Sequence, residues 1–161
     1  RVANNISFKP ITNGVMNIVR GAPGSGKTTF VQNMMAYTPK DKWVQCEADM
    51  FYYELFNKPA QFNSIILKTG HALCRDLIIN SIIEGKPLIF VSNVSRELAY
   101  CDEYSDIAKM FGYRVHEIIK ENNHGNTSIH NVPDEKINSI QAGFEYRNPY
   151  ATKKNKPAQS S

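Results

Sequence analysis

Residues 21–28 read GAPGSGKT, a match to G-x-x-x-x-G-K-[ST], set between an apolar run, VMNIVR, and a helix-like pattern, FVQNMMAY. From average residue usage, a chain of 161 residues shows this spacing by chance in roughly one case in a hundred or fewer. Its position constrains the fold, because the spacing works where a strand feeds a tight loop that opens a helix. Gly24 and Gly26 let the backbone curl so that successive N–H groups converge, and the helix expected over 27–37 adds its partial positive charge at the same point. That combination cradles phosphate. Lys27 is expected to reach the β- and γ-phosphates of a nucleotide, and the Thr28 hydroxyl to ligate Mg²⁺. The expected contacts are Gly21, Ala22, Pro23, Gly24, Ser25, Gly26, Lys27, Thr28 and Thr29, with ATP or another nucleoside triphosphate and Mg²⁺ as cofactors.

The rest of the chain continues the alternation of strand and helix. WVQCEA (43–48) reads as a second strand, and NSIILKTGHALCRDLIINSIIEG (63–85) as a long helix with Asn63 as N-cap and Gly85 as stop. PLIFVSN (87–93) is a continuous apolar run, as befits a strand covered on both faces. A helix over 95–112 follows, capped by Ser95, then a fourth strand, YRVHEIIK (113–120). After a polar loop, PDEKINSIQAGF (133–144) reads as a helix with Pro133 at its first position. Strands joined by helical crossovers predict an α/β fold, a three-layer α/β/α P-loop NTPase architecture around a parallel sheet of about four strands.

Charge is distributed unevenly. The chain has 19 basic and 15 acidic residues, and Arg147, Lys153, Lys154 and Lys156 lie in a final segment, 147–161, that has no acid. The remaining 15 basic residues balance the acids, so the body is neutral overall and the excess lies at the end. Nucleic acid would therefore be gripped in a local groove, with no globally basic surface to hold it. The three cysteines, Cys46, Cys74 and Cys101, are odd in number and embedded in apolar patterns, which predicts reduced, buried thiols and a cytoplasmic, intracellular setting. No apolar run approaches the roughly 20 residues a membrane helix needs. The chain starts at Arg1 and reads as a piece of a longer protein with no visible signal peptide. It divides into an N-terminal extension (1–13), a P-loop domain (14–146) and a basic flexible tail or linker (147–161).

Among chains with this loop, a GTPase needs D-x-x-G and N-K-x-D, and the NK of FNKPAQF lacks that Asp. A motor or helicase needs more chain and an acidic pair ending a strand, whereas the third strand here runs into Ser92 and Asn93. A compact kinase remains. Its acceptor hydroxyl must lose a proton as the γ-phosphoryl moves, so a carboxylate must face the cradle. Asp49, in EADMFYY at the end of the second strand, is the candidate, since active sites of parallel α/β sheets lie at the carboxyl ends of the strands. Lys27 and Asp49 are thus the expected catalytic pair, against the plainer role of Asp49 as a turn or capping acid.

IVRGAPGSGKTTF, EADMFYY, GHALCRDLIINSIIEGKPLIFVSNVS, GYRVHEII and IHNVPDEKINSIQAGFEY, taken in order, resemble the P-loop polynucleotide kinase family, its phage-type 5′-hydroxyl kinase domain and its animal relatives. The resemblance covers roughly residues 15–146. It implies ATP-dependent phosphorylation of a 5′-hydroxyl in RNA or DNA end repair, with Asp49 as general base and a single-stranded 5′ end as partner. Relatives carry further domains. The family's second Asp falls on Met50, its acceptor-phosphate arginine on Tyr52, its third-strand acid on Ser92 or Asn93, and its lid arginine near Thr127 and Ser128.

Other readings stand beside this one. The chain also reads as a kinase for a small metabolite or nucleoside, or as a non-catalytic NTP-binding module of a larger protein. Phe51, Tyr52 and Tyr53 either stack on an acceptor base or pack at the turn, and Tyr52 is taken as the acceptor-binding residue. His71 reads as an interior histidine. Ser92, Asn93 and Ser95 either hold a metal-bound water and orient Asp49 or, for Ser95, cap a helix. Lys120, Arg114 and Arg96 are alternative phosphate ligands.

Overall fold

The computed structural model describes residues 14–51, 64–121 and 133–148. Strand β1 (Val15–Arg20) runs through the loop into α1 (Lys27–Met34), and β2 (Trp43–Cys46) follows. Helix α2 (Ser64–Glu84) leads to β3 (Leu88–Val91), α3 (Leu98–Met110) to β4 (Arg114–Ile119), and α4 (Asp134–Ala142) comes last. The four strands form one sheet in the order β2-β3-β1-β4, and every pairing is parallel. Val15 stands level with both Leu88 and Arg114, and Trp43 with Leu88.

The order explains the layers. From β1 the chain steps outward past β3 to β2, then returns through β3 and on to β4. Right-handed crossovers place helices on opposite faces when the direction of travel reverses. Accordingly, Val19 and Phe90 pack with Val31 and Met35 of the α1 region on one face. On the other face, Met16, Ile18, Ile89 and Val91 pack with Cys74, Ile78 and Ile82 of α2 and Cys101, Tyr104 and Ala108 of α3. Alternate strand residues therefore feed opposite layers, as the two-residue period of a strand requires. β1 and β3 are adjacent and send their following helices to opposite faces, so a crevice opens at their carboxyl ends.

Three local expectations are corrected. The second strand ends at Cys46, and a helical turn starts at Ala48, so Asp49 belongs to a turn and not to the strand end. Ser95 is not the cap of α3, which begins at Leu98 behind Glu97. Ser95 instead takes a positive φ of 47°, and its carbonyl accepts a bond from Arg20 Nε at 3.0 Å. The Leu98 N–H is satisfied by Glu145 Oε2 at 2.8 Å, a cap supplied from far along the chain. Cys46 and Cys74 are joined as a disulfide linking the end of β2 to α2, where free thiols were expected; Cys101 is a buried free thiol. The expected cap Asn63 lies outside the described residues.

Candidate active site

The loop between β1 and α1 forms as its glycines allow. Gly24 and Gly26 have φ of 77° and 92°, left-handed values that strain any residue with a Cβ. Gly21 is required for space, because a Cβ there would collide with Ser25 Oγ and the Lys120 carbonyl. Gly26 caps α1 without a side-chain bond, leaving the first N–H groups of the helix free for an anion. Ser25 Oγ is buried in the loop and has no hydrogen-bond partner among the described residues. The Lys27 ammonium folds back onto the loop, donating to the carbonyls of Gly21 at 2.9 Å and Ala22 at 3.1 Å. Burial pushes its pKa down to about 8, against the opposing pull of the Glu47 and Asp49 carboxylates. An unpartnered hydroxyl, open helix N–H groups and a desolvated ammonium are features that a phosphate chain satisfies together.

Across the crevice stands an acidic edge built from two strands. Strand parity sends Cys46 into the α2 layer and turns Gln45 and Glu47 toward the α1 layer. Glu47 Oε1 accepts a hydrogen bond from the Thr28 hydroxyl, in the first turn of α1. The same oxygen accepts from Ser92 Oγ at 3.0 Å and Gln45 Nε2 at 3.1 Å, and Gln45 Nε2 also donates to Ser92 Oγ at 2.8 Å. Asn93 Oδ1 accepts from the Ala48 N–H at 2.8 Å and so fixes the turn that carries Asp49. Asp49 is exposed, and its charge acts on both Lys27 and His71. His71 is half-buried, stacks on Tyr100 with ring centroids 6.1 Å apart, and has its pKa lowered by burial and by Arg75.

A third wall lies beyond β4. A cavity of about 230 Å³ beside the loop is lined by Gly21, Ala22, Lys120, Gln141, Phe144 and Tyr146, among others. Phe144 of that lining packs on Arg20, which is fully buried at the end of β1. The Arg20 guanidinium donates to Glu117 at 2.8 Å, to the Arg96 carbonyl at 3.1 Å and to the Glu145 carbonyl at 2.7 Å, and lies 4.5 Å from the Phe144 ring centre. Arg147, expected in the tail, is bonded to the body through Asp102 and Glu117, each at 2.7 Å.

The structure thus brings Lys27, Thr28 and Asp49 around one crevice. Tyr52 lies outside the described residues, as do His124, His130 and most of the expected lid. Of the alternative phosphate ligands, Lys120 rests its ammonium 5.2 Å from the Phe30 ring centre, and Arg96 pairs with Glu97 at 3.2 Å. Glu47, Gln45 and Arg20 were not among the residues expected from sequence. A search for an acid at the end of β3 cannot find one supplied by β2 unless the strand order is known. The donor set at Thr28 and Glu47 is made of hard oxygens, which suits Mg²⁺.

A parallel sheet whose central strand feeds a glycine-rich loop and helix defines a P-loop NTPase fold. No protein-family model and no curated protein matches the sequence. Among solved structures, a chain of the Pnkp1/Rnl/Hen1 complex is similar with a TM-score of 0.56 at 14% identity, over 91% of this chain and 45% of that one. A chain of the Pnkp1/Rnl/Hen1 RNA repair complex gives 0.55 at 18%, over 85% of this chain and 38% of that one. APE1195 gives 0.50 at 18%, over 83% of this chain and 72% of that one. At such identities the likeness is one of fold, and the chain spans less than half the length of the first two.

Proposed function

We propose that the chain is an ATP-dependent phosphotransferase that moves the γ-phosphoryl group of ATP onto the 5′-hydroxyl of an RNA or DNA end. The observation that carries this reading is the turn of Asp49, fixed by the bond from the Ala48 N–H to Asn93 and next to Glu47, which bonds Thr28 of the loop. Phosphoryl transfer asks a protein chiefly for positioning and for charge. The loop N–H groups and Lys27 hold the triphosphate, and Thr28 is a ligand for Mg²⁺, which when bound neutralises phosphate charge. Asp49, exposed to an incoming acceptor, takes the hydroxyl proton. The cavity beside Gly21, with Phe144 and Tyr146 in its lining, is the place proposed for the donor base. The likeness to chains of an RNA repair complex supports a polynucleotide acceptor, on whose base Tyr52 is proposed to stack. Within a longer parent protein, the chain would serve as the kinase domain of an end-processing enzyme. Among the described residues no helix is long and apolar enough to cross a membrane.

One observation favours a second reading. The third strand runs out into Ser92 and Asn93, without an acid, as a non-catalytic NTP-binding module would allow. Incubation with γ-labelled ATP and a panel of 5′-hydroxyl RNA, 5′-hydroxyl DNA, mononucleosides and small alcohols decides among these. Label on polynucleotide 5′ ends is the expected result. Label on small acceptors alone identifies a metabolite or nucleoside kinase, and bound ATP without transfer identifies the module.

A further inference from the structure

We infer that Glu47 is the acid that holds the nucleotide's divalent cation, so that the second strand supplies what the end of the third strand lacks. The inference rests on the phosphotransferase reading and adds a residue to it. Three donors, the Thr28 and Ser92 hydroxyls and the Gln45 amide, converge on the single oxygen Glu47 Oε1. A carboxylate acting only as a solvated surface charge has no need of that many protein partners. The one donor among them that belongs to the phosphate loop is Thr28, whose hydroxyl oxygen is the ligand expected from the loop itself. The Thr28 and Glu47 oxygens already meet, and both are of the hard kind that Mg²⁺ and Mn²⁺ take.

The register explains why the charge comes from β2. Cys46 stands level with Val91, and the Ser92 N–H continues the ladder to the Cys46 carbonyl at 2.9 Å. Glu47 therefore lies beside Ser92, on the face that α1 covers. Ser92, neutral and small, leaves room for the longer Glu47 side chain to cross over β3 and reach Thr28. Gln45, two residues back on the same face, is a positioning residue that holds both Ser92 and Glu47. Among the described residues no three His, Cys, Asp or Glu side chains gather into a metal site. Glu47 and Thr28 would hold the cation jointly with the triphosphate, as Mg²⁺ is usually held. Asp49 is left for the proton, since it is exposed to an incoming acceptor while Glu47 is turned inward onto Thr28 and Ser92.

The test measures cation binding without turnover. The non-hydrolysable β,γ-imido analogue of ATP is titrated by calorimetry with and without Mg²⁺, and Mn²⁺ binding to the protein–analogue complex is read from the free Mn²⁺ paramagnetic resonance signal. Glu47→Gln is expected to bind the metal-free analogue about as well as wild type, while its complex loses about tenfold or more in Mn²⁺ affinity. Gln45→Ala should lose less. Moving the charge across one strand, Glu47→Ser with Ser92→Asp, should recover Mn²⁺ binding. Melting curves establish that each variant folds. If Glu47→Gln does not fold, the charge-moved pair decides: recovered binding supports the inference and absent binding overturns it. Unchanged Mn²⁺ affinity in folded Glu47→Gln also overturns it, and reduces Glu47 to a carboxylate that steadies the start of α1. Wild type that binds no analogue, with or without metal, overturns the phosphotransferase reading and this inference together.

Discussion

The phosphate loop and the acidic edge face each other across one crevice, but they are built from different material. The loop is backbone: eight consecutive residues, with left-handed glycines at 24 and 26 and a helix N-terminus, compose a site from N–H groups. The acidic edge is side chain: Gln45 and Glu47 come from β2 and its end, Ser92 and Asn93 from the end of β3, and Asp49 from a turn that Asn93 fixes. A backbone site tolerates variation wherever side chains point away, because its geometry lies in φ and ψ. A side-chain site can move its charge from strand to strand so long as the carboxylate arrives at the same place. The absence of an acid on β3 is therefore compatible with a working site.

The largest effect that tests this division should come from Asp49→Asn. It keeps the shape and removes the proton acceptor, so phosphate transfer should fall ~10²–10⁴-fold while the melting rise given by ATP and Mg²⁺ persists. Were nucleotide binding to fall in step with transfer, the two halves would not be separable. Next comes Arg20→Met. It removes a buried guanidinium that ties Glu117 to the 96 and 145 carbonyls, and should cost about 3–5 kcal/mol of stability in urea unfolding. A change near zero would mean that the fold does not depend on that latch.

Lys27→Ala tests the loop itself. Wild type should gain about 2.7 kcal/mol of apparent stability at nucleotide one hundred times its dissociation constant, and the variant should forfeit most of that gain. No shift in wild type at millimolar ATP and Mg²⁺ would sink the assignment of the loop. The smallest effect concerns charge remote from both halves. Deleting 151–161 removes Lys153, Lys154 and Lys156, and should weaken single-stranded RNA binding at low salt. The salt dependence should become shallower by up to about 0.7 in slope for each of these lysines that neutralises a phosphate. An unchanged slope would place the basic contacts on the body. Arg147 lies outside that deletion, and its bonds to Asp102 and Glu117 attach it to the body.

The cysteines show how far local pattern goes. Cys46 and Cys74 sit in apolar periods that imply burial, and both are fully buried. Their pairing depends on β2 lying under α2, and no spacing in the chain reports that. Likewise, Ser95 has the residue type of a cap but is drawn into a left-handed turn whose carbonyl meets Arg20, and the capping role passes to Glu145, 47 residues beyond Leu98.

From sequence alone come the loop, its glycines, the alternation of strand and helix, the parallel sheet and the candidacy of Lys27, Thr28 and Asp49. Each of these is written in residues close together, where backbone conformation and hydrophobic period are local properties. Tertiary structure decided the strand order, with β3 between β2 and β1, and with it the neighbours of every strand end. It decided that Glu47, which strand parity turns toward α1, would stand beside Ser92 and meet Thr28. It also decided that Arg20 would be buried among the carbonyls of Ser95, Arg96 and Glu145. These are contacts between residues 19 to 125 positions apart, set by the order in which strands pack.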